Sequence, residues 1–260
     1  MLNLVCVLSY GLMLVPIVLV VWLSFTRDAI MSFPPSGYTA SWYLSAWENQ
    51  DFANGLLLSL KVALLASAGG VTVGVMAALA LVRYRFAGSQ FINQLLLAPI
   101  LVPGIVAGLA IYLFYLRVEN QLDTDILGTH ASLVVAHLSL TIPWTVRLVA
   151  ASLQGLDPSL EEAARNLGAG AFTAFRRVVL PVLKPAIVSA ALFGFIVSFE
   201  NLEISLPLVG AGDTTLPIAI LHALEYSLDP TIAAVSSVQI LLLALVMLVT
   251  DRFVKLSRVL

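Results

Sequence analysis

Apolar residues run almost unbroken through six stretches of the chain: Leu4 to Phe25, Leu56 to Val82, Phe91 to Leu116, Ser132 to Leu153, Ala186 to Val209 and Thr231 to Thr250. Each is long enough to cross a hydrocarbon core of about 30 Å at about 1.5 Å of helix rise per residue. The pattern predicts an all-α membrane protein with six transmembrane helices, folded as a single domain over residues 1–260. Few charges fall inside these runs: Lys61 near the start of the second, Glu200 and Glu203 in the fifth. Pro16, Pro99, Pro103 and Pro143 interrupt others, which is tolerable where neighbouring helices satisfy the freed carbonyls.

Composition agrees with lipid as the solvent. The chain is 60% hydrophobic and 11% charged with a mean hydropathy of +1.00, whereas a soluble domain carries about a quarter charged residues. A net charge of −2 offers no footprint for nucleic acid. The single cysteine, Cys6, lies inside the first run and forms no internal disulfide. None of Lys61, Lys184 and Lys255 follows a glycine, so the chain has no phosphate-binding loop. Neither HExxH nor GxSxG occurs, and His130, His137 and His222 lack metal-ligand spacing. No catalytic residue, metal site or cofactor of its own is expected.

Orientation follows from the basic residues. Arg83, Arg85, Arg147, Arg165, Arg176, Arg177, Lys184, Arg252, Lys255 and Arg258 fall on one side, and only Arg27, Lys61 and Arg117 on the other. The first group marks the cytoplasmic side, which places both termini inside. The first run starts with no basic residue before it, and a short basic leader is expected ahead of Met1. In the first outer loop, Trp42, Tyr43 and Trp47 are spaced like one face of a short interfacial helix.

The connection from Gln154 to Lys184 reads as a pair of short helices. Asp157 is a good N-cap, Pro158 suits the first helical position, and Glu161 and Glu162 sit near the positive end of the dipole. Leu160, Ala163, Ala164 and Leu167 form a narrow apolar stripe opposite Glu161, Glu162 and Arg165, which predicts a helix over Ser159 to Leu167. Gly168 and Gly170 then end it. Phe172, Phe175 and Val179 begin a second helical turn that leads to Leu180, Pro181 and Pro185. An amphipathic helix resting on lipid headgroups is the alternative, but the stripe is poor in bulky residues.

Glu162, Ala163 and Ala164, then Gly168 after three residues, then Val178 to Pro181 after nine more, resemble the EAA loop of binding-protein-dependent ABC importer permeases. Asn54 to Ala63, Arg83 to Gly88, Pro99 to Gly108 and Thr215 to Ile220 resemble positions of the same family, especially its spermidine and putrescine branch. The resemblance implies a type I importer (MetI-like) permease fold in a bacterial inner membrane. It assigns Glu161, Glu162, Ala163, Ala164, Leu167, Gly168 and Ala169 to a coupling helix that docks on an ATPase. The partners it implies are a second, homologous permease subunit, two ATPase subunits and a periplasmic binding protein.

An acid in mid-membrane costs on the order of 2.5–3.5 kcal/mol on insertion scales, so it normally faces a partner or a water-filled path. Three residues apart, Glu200 and Glu203 are expected to share a helix face. Glu200, Asn201 and Glu203 resemble the acids that follow Ser-Phe in polyamine permeases, with Asn201 where the second acid would stand. They are therefore the candidate path for a cationic solute, a polyamine first. An opine, phosphonate, iron or thiamine importer is the alternative within the class, and an ATP-independent secondary transporter outside it.

Overall fold

A computed structural model describes residues 2–30, 33–226 and 229–254, and every regular element in it is helical. Lys255 and Arg258, two of the basic residues used for orientation, lie outside the described residues. The elements are α1 (Leu2–Leu23), α2 (Ser41–Glu48), α3 (Gln50–Arg83), α4 (Ser89–Leu97), α5 (Gly104–Leu122), α6 (His130–Gln154), α7 (Pro158–Asn166), α8 (Ala171–Ala174), α9 (Leu180–Phe199), α10 (Ser205–Leu208), α11 (Leu216–Tyr226) and α12 (Pro230–Val254). Among the described residues five helical stretches are long and apolar enough to span a membrane, six if the bent pair α4 and α5 is counted as one. The chain divides into two compact units, Met1–Leu58 with Asp213–Leu245 and Ser59–Gly212 with Val246–Leu260.

The larger unit is built on close approach between α3, α6 and α9. Small residues make this possible where lipid supplies no hydrophobic drive between helices. A methyl group on Gly70 would coincide with the Thr141 hydroxyl, and one on Gly74 would stand 2.5 Å from Thr145 Cβ. Hydroxyl groups then join the backbones: Thr141 Oγ1 donates to the Ala66 carbonyl at 3.0 Å, and Ser67 Oγ to that of Ala191 at 2.7 Å. Towards the α6–α9 connection, Ala78, Val149, Leu153, Val179 and Leu183 form a buried cluster with Phe175 packed against it. That cluster anchors the connection to two spanning helices.

Between α8 and α9, Phe175–Val179 adopts a π-turn. Pro181, at the start of α9, brings no N–H to the helical ladder, and a local widening of this kind accommodates such a gap. At the other end, the loop before α6 is gathered by the Glu119 carboxylate, which accepts from the amides of Ile126 and Leu127. Gly128, at φ +73°, crosses Gly210 so closely that a side chain on either would strike backbone.

In the smaller unit, α2 appears where the aromatic spacing predicts it. Trp42 Nε1 donates to the Thr26 carbonyl at 2.7 Å, and the Tyr43 hydroxyl pairs with Ser24 Oγ at 2.7 Å. Only Trp47 of the three stays well exposed. Gly55 meets the Thr215–Leu216 backbone at 3.1 Å, which brings the two family-like segments around residues 54–63 and 215–220 together.

Two expectations need correction. The third apolar run is not one straight helix: it divides at Leu101–Pro103, and its halves meet at 108°. Pro103 has no N–H for a continuing ladder and disfavours helical backbone at Val102. The fifth run leaves the helix at Phe199 and resumes as α10 at Ser205, so Glu200 and Glu203 do not share a helix face. Within the break Asn201 Oδ1 accepts from the Ile204 amide at 2.8 Å, a side-chain-to-backbone bond that competes with a continuing helix.

Candidate functional site: an outward-facing lever and a broken helix

The sequence folds α7 as a sharply bounded rod. Asp157 caps its start by accepting from the Ser159 amide at 2.9 Å, which holds the Asp157 carboxyl below its ordinary pKa. Its end closes with a Schellman pair, in which the Gly168 amide donates to the Arg165 carbonyl at 2.9 Å and the Ala169 amide to that of Ala164 at 3.1 Å. Gly168 takes φ +88° to do so, with nothing within 4 Å of where a side chain would start. Conformation therefore demands glycine here, and space does not.

Which way this rod faces is not what its stripe suggests. Leu160 is 48% exposed and Leu167 90%, and Glu162 and Ala163 are exposed beside them. Ala164 and Ala169 turn partly inward, and so does Glu161, whose side chain is only 13% exposed. Glu161 pairs with Arg83 at the end of α3 and with Arg165 Nη2 at 3.0 Å, one turn on. The hydrogen bond from Arg83 is the main reason that the Glu161 carboxyl lies below its ordinary pKa. An acid thus holds the helix to the protein while its apolar residues are left without cover.

Arg83 was legible as a marker of sidedness and as part of a family-like segment, but not as the partner of Glu161, which lies 78 residues away where no spacing rule reaches. Beside this ion pair is a recess of about 370 Å3, lined by Leu153, Leu156, Pro158 and Glu162 among others.

The candidate solute residues lie at the break after α9. Glu200 caps that helix and is exposed, and Asn201 is half-buried with its side chain spent on the Ile204 amide. Glu203 turns to α5, where a methyl on Gly104, the first helical residue, would overlap its carboxylate. A carboxylate at a helix start meets free N–H groups and the positive end of the dipole. One turn on, Gly108 admits the Glu203 carbonyl and Pro207, so the glycine pair of α5 receives the broken segment. Glu203 thus lies against the start of α5 while Glu200 ends α9, and both acids are exposed.

The lever and the break are not close. They stand at opposite ends of the 29-residue helical run Ala171–Phe199, about 40 Å at 1.5 Å per residue. Among the described residues no group of His, Cys, Asp and Glu is arranged to hold a metal ion.

Residues 70–258 match the family described as binding-protein-dependent transport system inner membrane component. The chain is 29% identical over 240 residues to the spermidine/putrescine transport system permease protein PotC of Haemophilus influenzae, covering 92% of this chain and 91% of that one. It is 27% identical over 234 residues to the putrescine transport system permease protein PotI of Escherichia coli K12, covering 90% and 83%. Its fold is similar to that of a chain in a bacterial ABC transporter involved in the import of the acidic polysaccharide alginate. The TM-score is 0.69 at 16% identity, over 97% of this chain and 95% of that one. With these helices and this match, the chain belongs to the binding-protein-dependent inner membrane components, the multi-pass permeases of ABC importers.

Proposed function

We propose that this chain is one permease subunit of an ATP-driven importer for a small organic cation of the polyamine class, delivered by an external binding protein. The observation that carries the reading is the outward apolar face of α7. Leu160, Ala163 and Leu167 point away from the protein on a rod whose opposite side is fixed by Glu161 to Arg83. A rigid helix with small residues at its centre can approach another chain closely and pass on a displacement. The occupant in this reading is a cytoplasmic ATPase that binds ATP and Mg2+, so that this chain performs no covalent chemistry.

The assembly has two such permeases, this one and a homologue, on two ATPases, in a bacterial inner membrane with both termini of this chain cytoplasmic. Closure of the ATPases moves the α7 rods and opens the path outward, in alternating access between two states. The substrate class is supported by the names of the polyamine relatives and by Glu200, an exposed acid at a helix break in an apolar run. A carboxylate there offsets the charge of a cation that leaves water.

Two measurements test the proposal in membranes containing the whole assembly. A cysteine at Ala163 should crosslink to the ATPase, and crosslinks that never reach it in a preparation known to contain it would remove the coupling role. Glu200→Ala should lower uptake of radiolabelled spermidine and putrescine about tenfold or more in complexes that still assemble. Normal uptake of both would remove the cation path.

A further inference from the structure

His137, two turns into α6, is 1% exposed, and both of its ring nitrogens are engaged. Nδ1 lies 2.7 Å from Ser198 Oγ, near the end of α9, and Nε2 lies 3.1 Å from Ser205 Oγ, the first residue of α10. The two serines are themselves buried, at 3% and 0% exposure, and they flank the non-helical residues 200–204. One imidazole therefore bridges both sides of the break.

Proton counting fixes the direction of each bond. Ser205 Oγ donates its single proton to the Asn201 carbonyl at 2.7 Å. It can then only accept from the imidazole, so Nε2 carries the ring proton. Nδ1 is left as the acceptor and takes the proton of Ser198 Oγ. The neutral ring donates to one side of the break and accepts from the other, and Asn201 is drawn in through its carbonyl while its side chain caps Ile204. A buried network satisfied in this way admits one geometry.

The geometry points to His137 as a positioning residue for transport. By tying Ser198 to Ser205 it sets the shape of the segment that presents Glu200 and seats Glu203 against Gly104. It touches no solute itself. This deepens the reading of Glu200 as part of a cation path and rests on it for the transport consequence, though not for the structural one.

The test uses the assembled transporter in membranes, in a Cys6→Ser background with Leu202→Cys between the two serines. Its first readout is the rate at which a small cationic methanethiosulfonate labels position 202, which does not depend on what the solute is. His137→Leu, which keeps bulk without polar atoms, and His137→Ala should each change that rate by about fivefold or more and lower spermidine uptake about tenfold. His137→Gln places an amide N–H near the position of Nε2 and should stay within about threefold of the parent in both readouts.

Labelling unchanged by Ala and Leu, parent-like behaviour of Leu, or Gln as impaired as Leu would each overturn the proposal. Should labelling respond as expected while Glu200→Ala transports normally, the cation path fails and the positioning role stands.

Discussion

Glu161 and Arg83 form an ion pair that joins α7, which also packs against α8 and the π-turn, to the last residue of the long spanning helix α3. Because the Glu161 side chain is mostly covered and also meets Arg165, the pair sets which face of α7 looks outward. Arg83→Ala or Glu161→Gln should loosen α7 by about 1 kcal/mol, the upper range for a partly exposed pair. Faster amide exchange across residues 160–167 in either variant is the expected outcome, and unchanged protection would show that the pair does not hold the helix.

The same pair has a pH signature. Its arginine partner lowers the Glu161 carboxyl below the ordinary value of 4.5, so the folded state favours the ionised form. The stabilisation is therefore complete above that ordinary value and is lost as pH falls through the lower folded-state value. Exchange across α7, corrected for intrinsic rate, should hold constant from neutral pH down to the ordinary carboxylate range and rise below it. Glu161→Gln should reduce that rise, leaving the part due to the Asp157 cap, whose carboxyl is also held low.

Gly168 and Gly170 are two residues apart and both open to solvent space, but only Gly168 has positive φ. Gly168→Ala should cost about 1–2 kcal/mol in the C-terminal turn of α7, while Gly170→Ala, at φ −65°, should be close to neutral. Measured as ATP hydrolysed per solute imported, the first variant should waste ATP and the second should match the parent.

The glycines of α5 separate structure from charge placement. A methyl on Gly104 meets the free end of the Glu203 side chain, which can swing aside, whereas one on Gly108 would lie 2.7 Å from the Glu203 backbone carbonyl. Gly108→Ala should cost about 1–3 kcal/mol by overpacking and reduce the folded yield. Gly104→Ala should fold normally and displace only the carboxylate. Equal yields of the two variants, measured by fluorescence-detected gel filtration in detergent, would contradict this ordering.

Close packing in the spanning core gives a harsher contrast. Gly70→Ala would drive a methyl into Thr141, whose hydroxyl is already bonded to the Ala66 carbonyl, and should cost about 1–3 kcal/mol. Gly11→Ala in α1 meets nothing within 4 Å and should leave thermal stability unchanged.

Local chemistry was readable wherever cause and effect lie within a few residues. The Asp157 cap, the Gly168 stop and the aromatic helix α2 follow from capping, φ requirements and period, and each stands where the sequence places it. The break after Phe199 was missed because Asn201 in an apolar run reads as a tolerated polar residue. Its capping bond to Ile204 matters only once His137, more than 60 residues earlier, holds Ser198 and Ser205 on either side.

By itself the sequence determined that this chain lives in lipid, where the short helices α2 and α7 lie, and which loop carries the permease signature. Hydropathy and capping are properties of short windows. Tertiary structure alone decided that Glu161 turns inward to Arg83 while Leu160 and Leu167 face out, and that Glu203 rests on the start of α5. Those choices depend on which distant group supplies the compensating charge or the space for a close approach, and spacing along one chain does not encode that.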